Sequence, residues 1–207
     1  MPPQNQGAPG AVKVSDELEG WFNGAGEKTL GALIEFFGEK SFALLFVVLM
    51  ATPALPLPTG GATHVFEIVV VLLALQLIAG RDHVWLPRRW QDVQLAGPRQ
   101  MRVTRALLKL IRLLERFSKP RLHFAFGSRV SNVAFGLLVT AGSVAAFFAP
   151  PFSGLDTLPS LGVVVLSLGV LLEDFYVVIA GLVIGAVGIA LEIVLGTAAI
   201  RGLGELI

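Results

Sequence analysis

The stretch Ala51-Thr-Pro-Ala-Leu-Pro-Leu-Pro-Thr-Gly-Gly61 lies between two apolar runs, Ser41 to Leu57 and Val65 to Ala79. Each of its prolines removes a backbone donor and disfavours continuous helix. A second break, Ala149-Pro-Pro-Phe-Ser-Gly154, stands between another apolar pair, Val130 to Ala149 and Leu158 to Leu172. The pattern predicts two broken hydrophobic hairpins. A bilayer tolerates interrupted helix only where protein or a water-lined cavity satisfies the freed backbone groups. The tips therefore become candidate polar sites: Pro58, Thr59, Gly60 and Thr63 in the first, Pro151, Ser153, Gly154 and Asp156 in the second. For any one of these residues the plainer reading is that it only shapes a turn.

Composition agrees with a membrane setting. Of 207 residues, 54% are hydrophobic and 15% charged, too apolar for a soluble domain of that size, so the expected class is an all-α integral membrane protein. Ser41 to Leu57 would span roughly 25 Å as a helix, slightly short of the ~30 Å hydrocarbon core, which leaves crossing and re-entrant hairpins both open. The last apolar run, Phe175 to Ile200, is long enough for one transmembrane helix. With no cysteine, and with His64, His83 and His123 scattered, neither a metal nor a cofactor is expected.

The net charge of +1 conceals an asymmetry. Between Arg81 and Arg129 lie twelve of the sixteen basic residues against Asp82, Asp92 and Glu115, a local balance of +9. Such a segment stays on the cytoplasmic side, so 81–129 is assigned there. Within it, Arg99 to Phe117 reads as a basic amphipathic helix, with Met101, Ala106, Leu107, Leu110, Leu113 and Leu114 on one side and Arg102, Arg105, Lys109, Arg112 and Arg116 largely on the other. Trp85 and Trp90 flank Arg88 and Arg89, a mixture suited to lipid headgroups. Anionic lipid is an expected partner of Arg81, Arg88, Arg89, Arg102, Arg105 and Lys109, although ordinary topology determinants explain them equally well. Nucleic acid is not expected, because the cationic segment is tied to the membrane and carries no nucleic-acid motif.

The remaining organisation follows from caps and spacing. Residues 1–14 read as a disordered tail and 15–207 as one membrane domain: interfacial helices at 15–40, the first hairpin at 41–80, the basic segment at 81–129, the second hairpin at 130–173 and the last helix at 175–200. Ser15 and Thr29 are the expected helix caps. After Thr29, the stripe Leu30, Leu33, Ile34, Phe36 and Phe37 would lie on the membrane or on the chain's own cytoplasmic segment. Laying Gly60 on Gly154 aligns Pro56-Leu-Pro-Thr-Gly60 with Pro150-Pro-Phe-Ser-Gly154, and both second arms end in charge, Arg81-Asp82 and Glu173-Asp174. This predicts a parallel internal repeat. Gly181, Gly185 and Gly188 permit close helix approach, within the chain or, as the preferred expectation, in a homodimer.

At Leu57-Pro58, Ala74-Leu-Gln-Leu-Ile-Ala-Gly-Arg81 and Trp85-Leu-Pro87 the chain resembles the ExoD family of bacterial exopolysaccharide synthesis proteins. The resemblance continues through Pro151-Phe152, Leu158-Pro159 and Leu168-Gly169 to Glu173-Asp174. It implies an integral inner-membrane protein linked to exopolysaccharide production and to tolerance of alkaline conditions; it supplies no molecular activity. The chain departs from the family pattern at Glu67 and Val69, where small residues or proline are favoured, and at Phe152-Ser153-Gly154, where a Phe-Gly-Asn-like turn is usual.

Ionisable groups within the apolar arms carry the functional expectation. Glu67 lies three residues after His64, with Gln76 further along the same arm, and Glu192 stands alone in Gly188-Ile-Ala-Leu-Glu-Ile-Val-Leu-Gly196. A charge in hydrocarbon costs ~2.5–3.5 kcal/mol on insertion scales, so each needs a partner, water or a shallow position. His64, Glu67, Gln76 and Glu192 are therefore the candidate intramembrane polar site, against the plainer reading of carboxylates hydrated near the interface. No phosphate loop, acid pair or nucleophile triad is legible, and no enzyme activity is expected. The expected function is transport of an ion or small exopolysaccharide-related solute through the hairpin breaks. The alternative is a non-transporting accessory or assembly factor of the exopolysaccharide machinery, docking lipid or protein through the basic helix.

Overall fold

The apolar run Ser41–Met50 forms a helix at the centre of the fold, with every side chain but Val48 buried. Apolar on all sides, it has no face to offer water and must be sheathed by protein or lipid. In this computed structural model, which describes residues 13–55, 63–81, 83–92, 94, 105, 108–109, 111–113, 115–116, 128–149 and 153–204, protein does most of the sheathing. The helices are α1 Val14–Asn23, α2 Leu30–Phe37, α3 Ser41–Met50, α4 His64–Ile78, α5 Arg88–Gln91, α6 Arg129–Phe148, α7 Thr157–Leu171 and α8 Phe175–Gly204. Among the described residues the only extended pairing is an isolated bridge between Thr29 and Gln94.

Specific contacts fix the directions of the helices. Phe46 meets Phe135, ring centroids 5.6 Å apart, and Ser143 donates to Met50 Sδ at 3.9 Å, so α3 and α6 run in the same sense. His64 stacks near Phe147 at 5.0 Å while Gly136 touches Ile78, so α4 runs against α6. Gly162 faces Gly185, Gly169 faces Val178 and Gly188 faces Pro159, making α7 and α8 antiparallel along their shared length. The result is an up-down bundle of α3, α4, α6, α7 and α8. Its basic end carries Arg81, Arg129, Lys40 and Glu173; its tip end carries His64, Phe148 and Asp156.

Two helices, Arg129–Phe148 and Phe175–Ala198, are long and apolar enough to cross a membrane. α8 leaves Tyr176, Val183, Val187, Ile193 and Val194 exposed, a surface that lipid would cover. The first hairpin differs from expectation in its first arm: α-helix stops at Met50 and residues 51–55 turn, because Pro53 cannot continue the ladder. The first tip, including Pro58, Thr59 and Gly60, and Pro151 of the second lie outside the described residues.

α4 and α7 match closely. Each has 15 residues, and each ends on a residue in the left-handed region, Gly80 at φ 83° and Glu173 at φ 55°. Each is closed by a bond from the sixth residue back to the first, Arg81 N–H to Gln76 O at 3.1 Å and Asp174 N–H to Gly169 O at 2.9 Å. Their partners differ, since α3 is buried all round whereas α6 exposes Leu137, Val144 and Phe148.

The N-terminal helices dock on the chain's own basic segment. Thr29 caps α2, accepting from Ala32 N–H at 3.2 Å, as expected. Ser15 does not cap: α1 begins one residue earlier, at Val14, and both the Ser15 amide and hydroxyl donate to the Glu115 carboxylate, an anion at the positive end of the helix dipole. Arg112 pairs with Glu19, and Gly31 lies against Gln91. On α2, Leu30, Leu33 and Phe37 are buried while Phe36 is exposed, so the stripe is narrower than its composition suggested. Residues 105, 108, 109, 111–113, 115 and 116 are helical, but Leu108 and Ile111 face the core and Leu113 is exposed, so the inward face is rotated from the expected one. Arg102 lies outside the described residues.

Candidate functional site

Glu67 is fully buried three residues into α4. Its Oε2 lies 2.7 Å from His64 Nδ1, and His64 donates when the carboxylate is ionised. The i, i+3 spacing puts both on one helix face, and Phe147 of α6 packs against the imidazole and fixes its plane. Glu67 Oε1 is buried with no hydrogen-bond partner among the described residues. Buried carboxylate oxygens are ordinarily satisfied, so this one marks a place for a proton, water or cation.

Two further carboxyls approach. Asp156, in the turn that leads into α7, lies within electrostatic range of Glu67 on one side and of Glu192 on the other. Glu192 Oε2 is also buried without a partner among the described residues. Roughly 26 Å along α8 from Phe175, at ~1.5 Å per residue, Glu192 is near the tip-side limit of a ~30 Å hydrocarbon core. Ser160, one turn after Asp156, has a buried and unpartnered hydroxyl. The tip end thus gathers His64, Glu67, Asp156, Glu192 and Ser160 from α4, the second turn, α8 and α7. Only Glu67 contacts the imidazole; Asp156 and Glu192 add negative charge at the same end without joining that pair, and such charge favours protons or cations.

The expected set needs one correction. Gln76 lies at the other end of α4, where its amide bridges the backbone of Trp85, donating to the carbonyl at 3.1 Å and accepting from the N–H at 2.9 Å. It secures the chain after Gly80 and has no part in the acidic cluster. Thr63 is buried beside His64; Ser153 accepts from Leu155 N–H at 3.2 Å, and Gly154 takes φ 68° to turn the chain into α7. A cleft of about 240 Å³ between α4 and α6, lined by Glu67, Ile68, Leu72, Val144, Phe147 and Phe148, is apolar: Glu67 offers it only its stem.

The glycine face also departs from expectation. A Cβ on Gly181 would stand 2.3 Å from Leu166 N, and one on Gly188 would stand 2.7 Å from Pro159 N. Gly185 faces Gly162 of the same chain. Gly181, Gly185 and Gly188 thus serve close approach to α7 within the chain, the other of the two arrangements their spacing permits. Of the basic residues, Arg81, Arg88, Arg89, Arg105 and Lys109 are exposed.

The family model for "Exopolysaccharide synthesis, ExoD" matches residues 14–194. This chain belongs to the ExoD family. It is 31% identical to "Protein ExoD" of Rhizobium meliloti (strain 1021) over 154 residues, 74% of this chain and 64% of that protein. It is 29% identical over 175 residues, 83% of this chain and 82% of the other, to slr1875 of Synechocystis sp. (strain ATCC 27184 / PCC 6803 / Kazusa), a protein described as uncharacterised. No solved structure matches significantly. The ExoD match spans the positions of His64, Glu67, Asp156, Ser160 and Glu192. Membership implies involvement in exopolysaccharide synthesis, and the two long apolar helices fit a membrane protein. Sequence reasoning missed Ser160, although its i+4 spacing from Asp156 on an apolar helix was a usable signal.

Proposed function

We propose that this ExoD-family protein is a non-enzymatic ion transporter of the bacterial inner membrane, acting in exopolysaccharide synthesis or export. The observation that supports it is the acidic cluster: two buried carboxyl oxygens, on Glu67 and Glu192, without partners among the described residues, both within range of Asp156. Intramembrane carboxyls are expensive and typically mark ion or proton pathways. The matched α4 and α7, offset by 93 residues from His64 to Thr157 and from Ile78 to Leu171, support a parallel repeat. At that offset, one residue from the alignment of Gly60 with Gly154, Glu67 corresponds to Ser160. The test is flux into liposomes carrying pH- and potential-sensitive dyes, under imposed proton, sodium and potassium gradients. Wild-type flux should fall at least tenfold in the Glu67→Gln, Glu192→Gln variant; unchanged flux would remove both carboxyls from the mechanism.

The accessory reading has an observation of its own, the exposed Arg81, Arg88, Arg89, Arg105 and Lys109. They suit phosphate groups of anionic lipid at the cytoplasmic face. Such binding is compatible with transport and would by itself account only for docking.

A further inference from the structure

We infer that the species carried is the proton, and that Ser160 and Ser167 of α7 line its route from the acidic cluster towards the basic end. This rests on reading the cluster as a transport site, and it names both the cargo and the path. The two serines are seven residues apart, hence on one face of α7 and roughly 10.5 Å apart along its axis. Both are fully buried, and neither hydroxyl has a partner among the described residues. A serine or threonine buried in an apolar helix normally satisfies itself on its own backbone. Half-buried Thr140 does so, donating to Gly136 O at 2.8 Å, and even exposed Thr197 donates to Ile193 O at 2.8 Å. Ser160 and Ser167 turn away from theirs, which calls for an external partner such as water.

The surroundings select the proton. α8 covers the Gly162, Leu166 and Gly169 face of α7, and α6 covers Val163. The opposite face, Ser160, Val164, Ser167 and Leu171, is buried as well, and α3 is the remaining helix packed on α7. Between Ser41 and Met50, α3 offers only Phe, Ala, Leu and Val side chains. A metal cation stripped of water needs several oxygen ligands at each step, whereas this route supplies one hydroxyl per level. Among the described residues no three His, Asp or Glu groups are arranged to hold a metal ion. A proton passed along a file of waters needs one donor and one acceptor at each step, and the spacing of the two serines is one that about three waters ~2.8 Å apart would bridge. At the tip end the groups facing the route are His64, Glu67, Asp156 and Glu192. At the basic end it emerges beside Asp174, which caps α8 through Tyr176 N–H at 2.8 Å, and beside Lys40, 3.9 Å from Glu173.

The test uses full-length protein in liposomes with an internal pH dye and a potassium diffusion potential set by valinomycin. Ser167→Ala and, separately, Ser160→Ala should each lower proton flux at least tenfold. Thermal stability should be unchanged or higher, because removing an unpaired buried hydroxyl relieves a desolvation penalty. Thr197→Ala should leave flux unchanged. Flux within twofold of wild type in both serine variants would overturn the route and leave the transport reading standing. Sodium or potassium flux in place of proton flux would overturn the cargo alone. No wild-type flux under any gradient would overturn the transport reading and this inference with it.

Discussion

Gly162 and Gly185 face each other across the α7–α8 seam, yet the structure gives them very different tolerance for a side chain. A Cβ on Gly162 would lie 2.4 Å from Cα and 2.6 Å from N of Gly185. Carbon atoms in good contact sit ~3.5–4.0 Å apart, so Gly162→Ala has to separate the helices by more than ~1 Å. The obstacle is backbone, which cannot rotate aside as a side chain can, and separation also loosens the Gly181–Leu166 and Gly188–Pro159 contacts. Overpacking costs ~1–3 kcal/mol, and this geometry belongs at the upper end, about 3 kcal/mol. By contrast, a Cβ on Gly185 meets nothing nearer than Gly162 Cα at 3.7 Å, an ordinary contact. Gly185→Ala should be neutral or stabilising, since alanine gains ~1 kcal/mol of helix propensity. Thermal unfolding in detergent provides the assay. At roughly 2–4 °C per kcal/mol for a chain of this size, Gly162→Ala should lower Tm by roughly 6–12 °C and Gly185→Ala should not lower it. Equal losses would refute the seam. A larger loss from Gly185→Ala would restore the expectation that this face joins two copies.

Two further outcomes are expected at the basic end. Glu115→Ala strands the Ser15 amide and hydroxyl, at a cost of ~1–3 kcal/mol; amide exchange in α1 should accelerate about ten- to a hundredfold, at tenfold per ~1.4 kcal/mol, while α8 exchange is unchanged, and uniform exchange would deny the docking. Replacing exposed Arg88 and Arg89 by Gln should weaken capture of anionic nanodiscs about fivefold per residue, from ~1 kcal/mol each near the surface. No difference between anionic and neutral lipid would leave these arginines as topology determinants only.

Much of the bundle was legible because the relevant signals are local. Apolar run length located α6 and α8, and Pro and Gly located both breaks. Thr29 worked as a cap because its signal lies within four residues. Ser15 misled because its actual partner, Glu115, is a hundred positions away, and no local rule brings the two together. The glycines of α8 correctly signalled close approach, but spacing carries no information on whether the approaching helix belongs to the same chain. Gln76 was grouped with Glu67 because both are polar in one apolar arm. Nine residues separate them, about 13.5 Å of helix, enough to put them at opposite ends of the bundle.

The acidic cluster lay partly beyond sequence reading for the same reason, and its assembly argues for function. Glu67, Asp156 and Glu192 come from the first hairpin, the second turn and the last helix, so only the tertiary fold brings them together. Packing alone gains nothing by doing so. Asp156 repels both glutamates, Glu67 has one imidazole partner for two oxygens, and an apolar residue at each place would avoid both desolvation and repulsion. The proposed transport function accounts for a cost carried on three separate elements, because an ion at this end would offset it. On the proposed route, Ser160 and Ser167, whose buried hydroxyls lack partners among the described residues, carry the proton onward.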